Sequence, residues 1–509
     1  MGKKTRIFLL SLVLIIAIFL RFYHFTTTPP GLYPDEAMDG NNASEVAATG
    51  HYQVFYPEDN GREGLYINLI ALEFQLFHAP HEPWVVRLPA AIAGVLTVFG
   101  LYLLAAELFG YEVGLLAAFL LATSFWHINF SRIGFRAILS PLLLTWTAWL
   151  ILKAFRAASS KMAVWYAVAA GIVYGLGFYT YIAYRISPLL LLLFIPFFRK
   201  YPGFWKRVTI FLVLAFVTAA PIGWYFAKNP SAFFGRTSEI SVTSTANPLE
   251  TFAVNFWKTL LEINVQGDFN WRQNISGAPE LFWPVGILFL VGIALGIYWL
   301  WKERRKKNAL TDAPVKSEGQ TLLVFGIWFT FAWFILGALP AALSNDGIPH
   351  ALRSILMVVP AVTLAALGGM WAYRMIKDHW GGRAALTLGV IALAILAFFA
   401  YYDYFIVWGE NPNVPGAFNA DYVTIGREIN ALPATTPKYV VVSACGVLAR
   451  NIPVPAETTM FITNTFTTST QMAKNVQYLI GGKNGCGGLP DQEGQIPPGT
   501  PSTTIFFID

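Results

Sequence analysis

Long uncharged apolar runs alternate along the chain with short charged stretches and three longer polar segments. A helix needs about 20 apolar residues to cross a hydrocarbon layer about 30 Å thick. By that measure eleven runs predict membrane helices: roughly residues 7–23, 84–109, 113–130, 137–152, 164–181, 186–198, 208–227, 281–301, 321–343, 354–373 and 384–407. The sixth is too short to span alone and the fourth is marginal. The first follows a basic N-terminus, but Arg21-Phe22-Tyr23-His24 has no small-x-small cleavage pattern, so it reads as an uncleaved span.

With the N-terminus in the cytoplasm, alternation of these runs gathers five basic clusters on one side. They are Lys3/Lys4/Arg6, Lys153/Arg156/Lys161, Arg199/Lys200/Lys206/Arg207, Lys302/Arg304/Arg305/Lys306/Lys307/Lys316 and Arg374/Lys377/Arg383. Nineteen of the 35 Lys and Arg residues then lie inside, the bias expected of cytoplasmic loops. Three polar segments, 24–83, 228–280 and 409–509, fall outside, and function is expected there. The reading is a multi-pass protein of the plasma (inner) membrane with an extracytoplasmic C-terminus. Residues 1–408 form the membrane domain, with loops 24–83 and 228–280 building the active site. Residues 409–509 combine a helix over 419–431 with strands near 439–443 and 505–509, a small α/β domain. Both cysteines, Cys445 and Cys486, belong to it; an oxidising compartment allows them to pair, and two unpaired thiols are the other reading.

Composition sharpens this picture. With 55% hydrophobic and 13% charged residues and a mean hydropathy of +0.52, the chain is excluded from the ordinary soluble enzymes. The net charge of +6 reports the inner Lys and Arg residues rather than nucleic-acid binding.

The first outer segment is acidic. It carries Asp35, Glu36, Asp39, Glu45, Glu58, Asp59, Glu63, Glu73 and Glu82 against a single cation, Arg62. Outer loops tolerate acids in general, which accounts for Glu73 and Glu82. Asp35-Glu36 is different, because it follows Pro29-Pro30-Gly31-Leu32-Tyr33-Pro34, a run expected to resist helix and hold the pair in a turn just outside the first span. Carboxylates held there suit a general base or a metal ligand. Glu63 with His51, His78 and His81 is a candidate set for a divalent cation, though the spacing matches no defined ligand pattern. No other cofactor is indicated.

Before the tail, nine of the eleven outward basic residues are arginine, whose planar fork binds phosphate with two parallel hydrogen bonds. Arg21 and Arg87 read as snorkelling to head groups; Arg62, Arg236, Arg272 and Arg353 are candidates for a phosphate site. In the second outer segment, Gly267-Asp268-Phe269-Asn270-Trp271-Arg272-Gln273-Asn274 interleaves polar and aromatic side chains, a mixture that suits a sugar as well as an ordinary bonded loop.

One set of residues carries a family resemblance: Tyr33-Pro34-Asp35-Glu36-Ala37 after the first span, Glu63-Gly64-Leu65-Tyr66, Arg87-Leu88-Pro89 opening the second span, Ser131-Arg132 after the third, and Pro349-His350-Ala351-Leu352-Arg353 leading to Pro360. In their order along a polytopic chain they resemble the GT-C glycosyltransferases of family 39, which include protein O-mannosyltransferases and lipid A aminoarabinose transferases, and most closely the bacterial phospholipid-carrier-dependent members. The resemblance is good over residues 1–155 and again at 349–360, looser between, and nearly absent in the tail.

The resemblance implies an all-α polytopic GT-C fold of about eleven spans and inverting transfer of a sugar from a polyprenyl-phosphate donor to an acceptor hydroxyl on the outer face. The acceptor would be a lipid, a glycan or a protein. Asp35 takes the family's essential carboxylate position, as base, with Glu36 beside it in a metal-binding or orienting role. The family's lysine near the Tyr66 motif is absent, so its donor-phosphate role passes to Arg62, with Arg353 and Arg272. Glu63, Tyr66, His350, Trp271 and Asn274 are the expected substrate contacts. Many members also carry an Asp several residues after Arg132; residues 133–140 hold none. The competing class is a transporter or flippase of a lipid-linked or anionic substrate, but ionisable residues are scarce at span centres and no half-to-half repeat is visible.

Overall fold

The computed structural model describes residues 2–58, 60–239, 241–309, 318–482, 485–486 and 488–509. Asp59 and Lys316 lie outside them, as do the side chains of Arg236, Lys306 and Lys307.

The chain is a multi-pass helical membrane protein. Helix α1 (Lys3–Phe22) leads into α2 (Pro34–Thr49), the two-stranded ladder β1 (Phe55–Tyr56) and β2 (Arg62–Glu63), and α3 (Leu65–Phe77). There follow α4 (Pro83–Phe109), α5 (Tyr111–Ala122), α6 (Phe125–Phe130), α7 (Leu139–Arg156), α8 (Ser160–Gly177), α9 (Ser187–Leu191), α10 (Phe194–Phe198) and α11 (Phe204–Lys228). Helices α12 (Pro230–Glu239) and α13 (Pro248–Leu261) lie in the second polar segment, followed by α14 (Trp283–Ala309), α15 (Glu318–Ala342) and α16 (Val358–Tyr401).

Among the described residues seven helical segments are long and apolar enough to cross a membrane, and the last, Ile355–Trp408, covers two predicted runs. Gly381 breaks its backbone (φ 86°, ψ 165°), a conformation that costs glycine little. Three predicted runs take other forms. Residues 113–130 split into α5 and α6, because Ser124 caps α6 by accepting the His127 N–H. Residues 186–198 form two short helices, α9 with Pro188 in its first turn and α10 containing Pro196, in place of one span. Residues 164–181 become α8, which packs between α7 and α11.

Two expectations need correction. The proline run does not resist helix: Pro34 occupies the first position of α2, where its missing N–H costs nothing and its φ is already helical, so Asp35 and Glu36 form the first helical turn. Arg21 and Arg87 do not snorkel. Arg21 is fully buried and donates to the carbonyls of Ala17, Ala122 and Leu121, tying α1 to α5. Arg87 is equally buried and binds Glu36 and the carbonyls of Pro29 and Gly31. A guanidinium buried in this way spreads its charge over several acceptors, which meets the condition for burying it at all.

The tail forms α17 (Asn413–Ala417), α18 (Ala420–Ala431), α19 (Glu457–Thr463) and α20 (Thr468–Lys474) around a parallel sheet. Its strands are β3 (Lys438–Val442), β6 (Val476–Ile480) and β7 (Ile505–Ile508) in the order β6-β3-β7, with a separate hairpin of β4 (Leu448–Ala449) and β5 (Ile452–Pro453). Cys445 and Cys486 are joined as a disulfide. The tail does not stand apart, since Met38 of α2 belongs to the same apolar core as Val440, Tyr478 and Ile508.

Candidate active site

The site lies where the polar segments meet at one end of the bundle. Acids in a first helical turn are favoured by the helix dipole, and α2 begins with two. Asp35 keeps 41% of its side chain exposed and lies 3.7 Å from Arg62, a buried residue of β2 that also reaches Asp39 at 3.4 Å. Asp35 and Asp39 are one helical turn apart and share that face of α2. Glu36 points elsewhere. It is fully buried, with one carboxylate oxygen 2.9 Å from Arg87 Nε and 2.6 Å from the Gly134 N–H, and the other accepting from Arg87 Nη2 and the Tyr33 N–H. A Cβ on residue 134 would sit 3.1 Å from the same oxygen, so glycine permits the approach. Both oxygens of Glu36 are therefore engaged in holding the start of α2, which leaves it no lone pair in a position to serve a metal.

Glu63 is gripped by Arg136 at 3.0 Å and Arg185 at 3.5 Å. His81 meets Ser44 at 2.9 Å and stacks on Phe74, away from Glu63's partners. The Glu63/His51/His78/His81 set thus does not assemble, and among the described residues no three His, Cys, Asp or Glu side chains are grouped to hold a metal ion. Tyr66 and Asn274 are also engaged internally: Tyr66 is buried with its hydroxyl on the Val86 carbonyl, and Asn274 is buried on the Ala278 carbonyl and Glu280. Neither reaches a substrate without opening its surroundings.

The second polar segment comes to the first through Arg272, whose guanidinium lies 3.4 Å over the Tyr33 ring, two residues before Asp35. Its neighbour Trp271 is half-buried, and the Trp271 carbonyl accepts from Trp408 Nε1. Behind Arg272 sits a group of buried carboxylates. Asp268 accepts the N–H groups of Asn270 and Ala351, and Glu262 accepts that of His350. Glu280 accepts the N–H of Asp268. Burial raises all three, Asp268 to about 6, Glu262 to about 8 and Glu280 well above its ordinary value, where the nearby Glu262 adds to the rise. These bonds shape the segment carrying His350, whose Nδ1 lies 3.7 Å from Asp268, and Arg353, which donates to Ser344 and the Asp346 backbone and lies 3.4 Å from the Asp346 carboxylate.

Between these elements opens a cleft of about 480 Å³ lined by Lys258, Asp268, Phe269, Asn270, Asn345 and Pro349 among others. It combines a cation, amides and an aromatic ring, the donors and faces that hold a sugar phosphate.

Sequence reasoning missed several of these partners. Arg136 and Arg185 stood in the arginine-rich set but nothing in their spacing pairs them with Glu63. Asp39 was one acid among nine, and its position one turn after Asp35 was the available signal. The Glu262–Glu280 contact left no signal, because it arises only from the folding of the loop.

Comparisons with known proteins bear on the fold. A family model described as dolichyl-phosphate-mannose-protein mannosyltransferase matches residues 65–225. Among curated proteins none matches. Of solved structures, ArnT from Cupriavidus metallidurans, bound to undecaprenyl phosphate, is similar with a TM-score of 0.55 at 14% identity, covering 94% of this chain and 90% of that one. The chain has the GT-C glycosyltransferase fold. The Archaeoglobus fulgidus oligosaccharyltransferase tethered with an acceptor peptide gives a TM-score of 0.51 at 17% identity over 91% of this chain and 63% of its own. The same organism's AglB, in complex with an inhibitory peptide and a dolichol-phosphate, gives 0.51 at 17% over 94% and 69%.

Proposed function

We propose that this protein transfers a sugar from a polyprenyl-phosphate donor to an acceptor hydroxyl at the extracytoplasmic face of the plasma (inner) membrane, with inversion at the anomeric carbon. The observation that carries the reading is Asp35: a half-exposed carboxylate on the first turn of α2, beside the buried Arg62, where Arg272 brings in the second loop. The GT-C fold and the lipid phosphates bound by ArnT and AglB support it. The N-terminus is cytoplasmic and the C-terminus extracytoplasmic in this reading.

In the reaction the acceptor oxygen attacks the anomeric carbon, its proton passes to Asp35, and the bond from that carbon to the phosphate oxygen breaks with its electrons leaving on the lipid phosphate. A base on the attacking side and cations around the phosphate are the minimum this requires. Arg62 is already shared by two carboxylates, so its part is to hold Asp35, and the phosphate falls to Lys258, which lines the cleft, with Arg272 and Arg353 from the flanking segments. Trp271 and His350 stand beside them as sugar contacts. Among the described residues no three His, Cys, Asp or Glu side chains are grouped for a metal ion, and this reading assigns the phosphate charge to these cations.

The test is to incubate the purified protein in lipid with a panel of polyprenyl-phosphate sugars and candidate lipid, glycan and peptide acceptors. Transfer with an inverted product is expected for at least one pair. No turnover and no saturable binding with any donor overturns the reading and moves it to transport.

A further inference from the structure

Helix α2 has two working faces. One carries Asp35 and Asp39 toward Arg62. The other, one step around the helix, carries Met38, Asn41 and Glu45, spaced three and four residues apart, and it meets the C-terminal segment rather than solvent. Helix α19 also packs closely on a neighbouring position of the helix: a Cβ on Gly40 would come within 2.6 Å of the Phe461 ring.

Two sets of polar contacts fasten this second face. Inside, Asn41 donates its side-chain amide to the Glu457 carbonyl at 3.0 Å and to the Glu457 carboxylate at 2.7 Å, with both side chains buried. The next residue, Thr458, donates its hydroxyl at 2.7 Å to the carbonyl of Leu32, just ahead of α2. Adjacent residues of α19 thus grip the helix at both ends of its first two turns. At the rim, the β4–β5 hairpin turns through Arg450 and Asn451, both with positive φ (53° and 66°). Two-residue hairpin turns of this hand favour Asn and Gly, and a long side chain in the first place carries a steric cost. The turn presents the Arg450 guanidinium to Glu45 of α2 at 2.6 Å and to Glu58 at 2.9 Å, over the Phe466 ring at 4.0 Å. Glu58 precedes β2, so a single guanidinium bridges the helix that holds Asp35 and the loop that delivers Arg62.

We propose that the C-terminal segment completes the active site, with Glu457 and Arg450 as positioning residues that lock α2 and the 55–63 ladder into one frame and so fix Arg62 against Asp35. The inference rests on the transferase reading for its catalytic consequence, whereas the frame itself is a property of the fold. It separates this tail from a tethered module that only recruits an acceptor, because such a module leaves the base untouched.

The test uses the full-length protein in lipid. Arg450→Ala removes the rim contact from a partly exposed position and is expected to lower kcat on the order of fivefold, the scale of a partly exposed ion-pair network, while donor KM stays unchanged. Glu457→Ala is expected to lower kcat on the order of tenfold, as for a lost buried hydrogen bond, and Glu457→Gln, which keeps an oxygen for Asn41, to restore it. Arg450→Ala combined with Glu58→Gln is expected to match Arg450→Ala alone. Hydrogen exchange over residues 34–49 and 54–64 is read in parallel and is expected to speed up in both alanine variants. Parental kcat and parental protection in Arg450→Ala and Glu457→Ala overturn the proposal, as does a change confined to acceptor KM. If the parent itself transfers no sugar, the transferase reading fails, and the exchange data alone still decide whether the tail holds the frame.

Discussion

The two loops that form the site treat their carboxylates in opposite ways. In the first, Asp35 and Asp39 meet Arg62, Glu36 meets Arg87, and Glu63 meets Arg136 and Arg185. In the second, Glu262, Asp268 and Glu280 are buried together and held chiefly by backbone N–H groups and by one side-chain amide. Arginine pairing favours the charged form of a buried carboxylate, whereas in the second group the backbone N–H groups, with Arg272 and Arg353 farther from Asp268, offset burial only partly, so this group is pushed toward the protonated form. The arginine pairs of the first loop hold carboxylates at defined places and the second group shapes a wall, while Glu73 of α3 is raised to about 8 by burial as in the second loop. Of the carboxylates just named, Asp35 alone keeps nearly half of its side chain open.

The strongest way to break this contrast is Asp35→Asn, which keeps the shape and removes the basicity. General-base contributions run about 10² to 10⁴-fold, so turnover should drop by that factor with donor binding retained. A rate near the parent's would move the base to another carboxylate. Next is Arg87→Ala, which strands a fully buried Glu36; breaking such a pair costs about 3–5 kcal/mol, visible as a lowered unfolding temperature in detergent. A variant as stable as the parent would mean that the pairing in the first loop is decorative.

The third concerns pH. The folded-state values of Asp268 and Glu262 are raised, so their contribution to stability is complete below the ordinary carboxylate range near pH 4 and is lost as pH rises through about 6 and then about 8. Opening of residues 262–280 should increase with pH over that window, by up to about tenfold per unit for each proton released. Hydrogen exchange corrected for its intrinsic rate measures this, and Glu262→Gln should flatten the upper part of the profile. A pH-independent loop would place these groups outside the wall.

Smaller effects sharpen the cation assignments. Arg353→Lys keeps the charge but not the fork, and donor affinity should fall about tenfold, on the order of 1.4 kcal/mol; unchanged donor binding in Arg353→Ala would remove it from the site. Arg272→Ala loses the stack on Tyr33, a contact of about 0.5–1 kcal/mol where exposed, so a rise of about two- to fivefold in donor KM is expected from titration of the donor.

Much of this molecule is written in its sequence. Apolar run length located the helices, because a span must satisfy its own backbone hydrogen bonds over a fixed thickness, and eight of the eleven runs appear within the seven long segments. The tail's helix at 420–431 and the strands at 438–442 and 505–508 were legible from local pattern. The order of motifs around Asp35, Glu63 and Arg87 pointed to the GT-C fold. Local pattern could not say which charges face each other. Asp35 and Glu36 are adjacent in sequence, yet a step of about 100° around a helix sends one to solvent beside Arg62 and the other into the core against Arg87. Arg136 and Arg185 reach Glu63, and Glu457 reaches Asn41, across separations of 73, 122 and 416 residues. Pairings at that range depend on how helices cross and loops close, which no local window of residues encodes, and only the tertiary structure decided which of the two adjacent carboxylates stayed open to solvent.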